Sequence, residues 1–192
     1  MKKLLLFTAL VIFSLNAKAQ DIEEKIKGGG FYVGANIGLP ISTAADVSSF
    51  NFGVDVAYLF EVIDNLEVGP LLGFTNFIGD GEYYAYSNTD VEFRRDYKDA
   101  SFLPIAASAR YYFADDRFFG GIDLGVAVNV AGDAKTGFYA RPKFGFDLGV
   151  VALIASFQSI SGGVDYGDTY YGGTYVSGSG FNSFNFGVEF GF

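Results

Sequence analysis

Eight charged side chains lie inside stretches that otherwise alternate large apolar residues with small or polar ones: Asp55, Glu67, Arg110, Asp123, Arg141, Lys143, Asp147 and Glu189. Every one of them falls on the face opposite the large apolar side chains, so carboxylates and cations share one surface. Ionised groups in a confined space are tolerated when they are paired. Two chemistries follow: a narrow passage lined by charge, or a plug of ion pairs filling a closed interior. Interiors of that size are usually filled by side chains, which favours the plug.

Other residue sets point to weaker chemistry. The stretch 79–100 carries Asp80, Glu82, Asp90, Glu92, Asp96 and Asp99 beside Arg94, Arg95 and Lys98. Closely spaced carboxylates offer the oxygen ligands that Ca²⁺ takes, but the EF-hand spacing is absent, and the stretch reads as a solvated surface loop of mixed charge without a metal or other cofactor. In the stretch 160–181, Tyr166, Tyr170, Tyr171 and Tyr175 are interleaved with Gly and Ser. Tyrosines among small residues make adaptable contact surfaces for a ligand or partner, and equally a rim of rings at lipid headgroups. Conventional catalysis has little to work with. The chain has no His and no Cys, which removes the usual general base, the thiol nucleophile, imidazole and thiolate zinc sites and every disulfide. No nucleophile motif is present, and Gly28-Gly29-Gly30 lacks the Lys-Ser/Thr of a phosphate-binding loop and reads as a hinge. With 13 basic against 22 acidic residues, the net charge of −9 opposes nucleic-acid binding. The expectation is a non-enzymatic protein.

The elements that must position these charges are strands. Eight segments alternate with period two, at about 31–39, 50–60, 66–78, 101–113, 121–129, 138–148, 151–159 and 184–192. The second is clear: Phe50, Phe52, Val54, Val56, Tyr58 and Phe60 oppose Asn51, Gly53, Asp55, Ala57 and Leu59. The seventh alternates poorly. The polar face is mostly Gly, Ala, Asn and Asp rather than the long Lys and Glu of a strand facing water. Interior Gly weakens a strand unless something must approach closely, and a narrow lumen is such a constraint. An apolar outer band free of charge is the pattern of a transmembrane barrel, where Arg or Lys facing lipid at mid-depth costs about 2–4 kcal/mol. Connections strictly alternate: short at 61–65, 114–117 and 149–150, long at 40–49, 79–100, 131–137 and 160–181. That sorting predicts an all-β, eight-stranded antiparallel up-and-down transmembrane barrel with turns at one rim and loops at the other. Pro70 and Pro142 fall within strands, where each is expected to mark a bulge or a misplaced boundary.

Residues 1–19 read as a secretory signal: Lys2 and Lys3, an apolar run over 4–15 too short to span a bilayer, and Ala17-Lys18-Ala19 before the cut. Cleavage removes three basic residues and no acid, leaving ten against 22 and a net charge of −12. With no Cys after the cut, a lipid-anchored lipoprotein is excluded. Residues 20–30 read as an exported leader outside the fold, and 31–192 as the barrel domain.

The last strand, FNSFNFGVEFGF, sets Phe184, Phe186, Val188, Phe190 and Phe192 at alternate positions, and ends on an aromatic residue. It resembles the C-terminal assembly signal of bacterial outer-membrane barrels. With the Lys-Lys signal segment and FLPIAASARYYF at 102–113, the chain resembles the outer-membrane β-barrel family of Bacteroidetes, sometimes called PorT-like. The resemblance covers the stretch from about Gly28 to Phe192 and implies an outer-membrane location, contact with lipid and handling by the barrel-assembly machinery. It carries over no catalytic residue. Three roles follow as expectations: a structural or surface-interaction role through the loops with an extracellular ligand or envelope protein, a narrow pore for small solutes, or a subunit of a secretion system.

Overall fold

A chain that places large apolar side chains on one face and Gly, Ser, Asn and ion pairs on the other cannot bury the first face against a core of its own. It can close into a cylinder around the second. The computed structural model describes residues 29–86, 92–114, 117–166, 176–178 and 180–192, with the backbone alone in the hairpin strands of the two long loops. The segments read as signal and leader, up to residue 28, lie outside the described residues.

Among the described residues twelve strands form: β1 (Gly29–Ile41), β2 (Ser48–Ile63), β3 (Leu66–Gly79), β4 (Glu82–Tyr86), β5 (Glu92–Asp96), β6 (Ala100–Phe113), β7 (Phe118–Ala131), β8 (Gly137–Asp147), β9 (Val151–Ile160), β10 (Val164–Tyr166), β11 (Val176–Gly178) and β12 (Phe181–Gly191). Eight of them close an antiparallel barrel in the order β1-β12-β9-β8-β7-β6-β3-β2. The other four make two hairpins, β4–β5 and β10–β11, inside the long loops. Closure joins first and last strands: the N–H of Phe192 donates to Phe31 O at 2.9 Å, and the N–H of Phe31 to Phe192 O at 3.2 Å.

The stagger is legible from the register. A row of paired residues starts at Glu67 and passes through Arg110, Gly121, Lys143, Ser156, Asn185, Gly38 and Asn51. It returns to β3 at Phe77, ten residues further along. Eight strands with that stagger tilt roughly 40° from the barrel axis. The row's inward side chains therefore climb the lumen as a spiral, polar or glycine until it ends on an aromatic ring.

Several expectations need correcting. Gly29 and Gly30 are not part of a free leader or hinge: they open β1, paired with Phe60 and Leu59. A side chain at either would run into the rings of Tyr58 and Tyr32, so glycine is what the packing admits. Only Asp64 and Asn65 separate β2 from β3, with Asn65 in the left-handed region that Asn tolerates.

The prolines mark neither bulges nor boundaries. In an antiparallel strand a residue's N–H and C=O point to the same neighbour, so a proline withholds a donor from one side only. Pro70 pairs with Ala107 on β6, while pairing with β2 lapses between Ala57–Leu71 and Phe60–Val68. Pro142 pairs with Ile122, and pairing with β9 lapses between Ala140–Ser159 and Lys143–Ser156. Pro104 repeats the arrangement, paired with Ala127 while the β3 ladder lapses between Leu72–Ile105 and Thr75–Phe102. Register is the same on both sides of each lapse. The register shifts lie at Ser48/Phe50, Glu61/Ile63 and Ser101/Phe102.

At the loop end, Phe77, Phe102 and Phe181 turn inward and meet one another, with ring centroids 5.0 to 6.2 Å apart. The connection after β1 folds in over them. Its short 3₁₀ turn, Ser42–Ala44, buries Ala44, Val47 follows it in, and the Thr43 hydroxyl donates to Gly180 O at 3.3 Å. These residues form an apolar lid on a polar interior.

Candidate functional site: the barrel lumen

The lumen is layered from the turn end to the loop end. In the lowest layer Arg110, on β6, crosses to β12 and donates to both oxygens of Glu189, Nη1 to Oε1 at 2.7 Å and Nη2 to Oε2 at 3.0 Å. Its guanidinium lies between the rings of Tyr32 and Phe119, 4.3 and 4.7 Å from their centroids. Planar stacking and a two-pronged carboxylate contact are what arginine supports and lysine does not. Glu67, the register partner of Arg110 on β3, stands 3.9 Å from Nε. Its oxygens accept the Tyr32 hydroxyl at 3.1 Å, and the Tyr112 hydroxyl donates to one of them at 3.5 Å.

In the next layer Arg141, on β8, donates from Nε to Asp123 at 2.7 Å and from Nη1 to Asp55, on β2, at 2.8 Å. Lys143 meets the other oxygen of Asp123 at 2.7 Å and donates to the Ser108 hydroxyl at 3.1 Å. Asn36 donates to Asp55 at 3.5 Å, and its Oδ1 is buried without a protein partner. A cavity of about 20 Å³ lies there, bounded by Asn36, Asp55, Arg141 and Ser156, room for about one water. Above this come neutral groups. Asn51 donates to Asn185 at 2.6 Å, Asn185 to the Ser183 hydroxyl at 3.0 Å, and Gln158 to Thr75 at 3.4 Å, below the aromatic lid.

The two long bridges share a geometry. In the ring order, β6 stands opposite β12 and β2 opposite β8. Arg110–Glu189 and Arg141–Asp55 therefore span two perpendicular diameters. Four carboxylates face three cations, and the surplus acid is Glu67, whose side chain is 18% exposed against 3% for Glu189 and none for Asp123. The unmatched charge sits where water reaches it, as the cost of burying an unpaired ion requires.

Of the eight charges read from the sequence, seven meet in the lumen: Asp55, Glu67, Arg110, Asp123, Arg141, Lys143 and Glu189. Asp147 does not. It is the last residue of β8, past the layered interior, and accepts the N–H of Gly149 at 2.5 Å in the turn to β9, where Gly149 takes a positive φ of 105°. The lumen also recruits Tyr32, Tyr112, Ser108, Phe119 and Tyr139, which the charges alone did not single out. In the acidic loop, Asp99 accepts the N–H of Gly79 at 2.9 Å and Lys98 pairs with Asp133 at 3.2 Å. Among the described residues no three acidic side chains converge on a metal-sized site. Tyr170, Tyr171 and Tyr175, and the side chain of Tyr166, lie outside the described residues. Val188 and Phe192 face outward, 37% and 68% exposed.

No family model and no curated protein matches the sequence. Among solved structures, the chain is similar to the outer-membrane protein Ail of Yersinia pestis, with 10% identity over 86% of this chain and 100% of that one and a TM-score of 0.45. It is similar to the Neisserial surface protein A, NspA, with 17% identity over 86% and 100% and a TM-score of 0.43. Outer-membrane protein AlkL is similar at 17% identity over 90% and 96%, with a TM-score of 0.41. Identities this low carry no functional residue from one chain to another.

Proposed function

We propose that this protein is a small, non-enzymatic outer-membrane barrel whose lumen is closed and whose work is done by the loops at its wide-loop rim, through structural or surface contacts with an extracellular ligand or envelope protein. The observation that carries the membrane reading is the outer surface. Among the described residues, no charged side chain lies on the outward face of any of the eight barrel strands, while Ile37, Leu39, Val54, Leu72, Ile105, Leu124, Phe144, Phe184 and Phe186 all stand 42% or more exposed there. An apolar belt of that extent is unstable in water and suited to lipid. The filled lumen favours loop work over passage of solutes. Export by the N-terminal segment, assembly through the C-terminal strand and membership of the Bacteroidetes-type family belong to the same reading.

The test uses single cysteines in a chain that has none. In intact cells, a membrane-impermeant thiol reagent labels Ala134→Cys at the loop rim and leaves Asn65→Cys at the turn rim untouched. Labelling of both, or recovery of the protein as a water-soluble monomer, overturns the membrane reading. Deleting residues 82–96 and 164–178 abolishes cross-linking to envelope or surface partners while the barrel still folds. Unchanged cross-linking overturns the loop role.

A further inference from the structure

One donor and two acceptors meet in the lowest layer of the lumen. The Arg110 side chain is 1% exposed, so each of its N–H groups needs a partner, yet Nε is buried without one. It faces Glu67 at 3.9 Å, beyond hydrogen-bond reach. Glu67 is the residue directly opposite Arg110 on the neighbouring strand, the position to which an inward arginine folds when it lies along the wall. Instead the side chain reaches across the whole lumen to Glu189 on the opposite strand. Glu67 meanwhile takes its hydrogen bonds from two tyrosine hydroxyls, and its contact with Arg110 is a loose ion pair at 3.9 Å.

We propose that Arg110 is a two-position gate. Crossed to Glu189 it blocks the lumen. Folded back on Glu67 it lies along the β3–β6 wall and admits water and small monovalent cations from the turn end as far as the Asp55–Arg141–Asp123–Lys143 layer. Both positions pair the guanidinium with a carboxylate, and the water admitted in the folded position hydrates Glu189, which is 3% exposed and held by Arg110 at both oxygens in the crossed one. Tyr32 serves both: its ring carries the guanidinium and its hydroxyl orients the second acceptor. The surplus acid of the lumen is thus the alternative seat. The inference concerns the interior only and stands apart from the loop role and the membrane reading.

The experiment places one thiol above the gate, at Ser156→Cys, which lines the cavity of the middle layer. Its modification by a small neutral thiosulfonate is timed in detergent, on protein whose folding is verified by a gel shift on boiling. Adding Glu189→Gln removes the crossing partner and raises the rate about tenfold, whereas adding Glu67→Gln removes the alternative seat and lowers it below the parent. The slowing is the discriminating result, and it does not depend on Glu189→Gln folding. A rigid strut predicts no effect or a looser mouth on loss of Glu67. Equal rates with and without Glu67→Gln, or a faster one, overturn the gate.

Discussion

Arg141 shows why the lumen's charges are worth more together than apart. Its guanidinium touches Asp55 and Asp123 at once, and Asp123 is shared with Lys143. Removing one member of a buried ion pair costs about 3–5 kcal/mol because the partner is left uncompensated. Arg141→Met is therefore expected to destabilise the barrel by about that amount, and Asp55→Asn by less, since Asp123 still holds the guanidinium. Urea unfolding in detergent, followed by the boiling-sensitive gel shift, measures both. A larger loss for Asp55→Asn would contradict the shared-acceptor arrangement. The inward glycines do complementary work. Gly145 lies opposite Phe119 in register, and a methyl group there would enter its ring. The ring is fully buried beneath the Arg110 guanidinium and has nowhere to go. Overpacking of this kind costs about 1–3 kcal/mol, so Gly145→Ala destabilises and Phe119→Leu relieves part of the loss. Additive losses in the double variant would count against direct contact.

At the scale of elements, the outward face makes the sharper prediction. Leu124 is midway along β7 and 42% exposed. Leu124→Arg should cost about 2–4 kcal/mol in a bilayer. The cost should shrink when the same residue change is placed near a rim, at Val130 or Phe118. Equal costs at all depths, read by unfolding in lipid vesicles, would speak against a spanning strand. Seven of the barrel strands were legible in the sequence because their two faces differ so sharply in size and polarity, as Phe52 and Val54 differ from Asn51 and Gly53. β9 was obscure for a physical reason. Its inward residues Ala152, Ile154, Ser156, Gln158 and Ile160 carry two polar side chains against one among its outward Val151, Leu153, Ala155, Phe157 and Ser159, and large apolar residues stand on both faces, so the period carried little contrast. The two loop hairpins went unread because their strands, five and three residues long, are too short for a period to show. The seven lumen charges were legible from parity alone. Their pairing was not, because partners such as Arg110 and Glu189 are 79 residues apart and meet only through strand order and stagger. The prolines misled because parity does not say which neighbour a missing donor faces.

For the whole molecule, perpendicular bridges and an aromatic lid act in series. A barrel can flatten along any diameter, and two bridges at right angles resist both ways of becoming oval. The lid of Phe77, Phe102 and Phe181 closes the loop end independently, because its rings touch each other and the inward-folded connection rather than the charges beneath. Passage then requires that both barriers fail. In a planar bilayer the parent is expected to be silent, as are Glu189→Gln alone, with its lid intact, and Phe102→Ala alone, with its lower layer still crossed. The combination is expected to give discrete current steps with little preference between cations and anions, because neutralising Glu189 leaves three carboxylates against three cationic groups in the lumen. Steps from Phe102→Ala alone would put the entire barrier in the lid, and silence from a folded double variant would make the Asp55–Arg141–Asp123–Lys143 layer a seal in its own right. Either outcome ends the two-barrier account. Steps from the double variant alone would mean that closure of this barrel is divided between an ion-paired base and an apolar top.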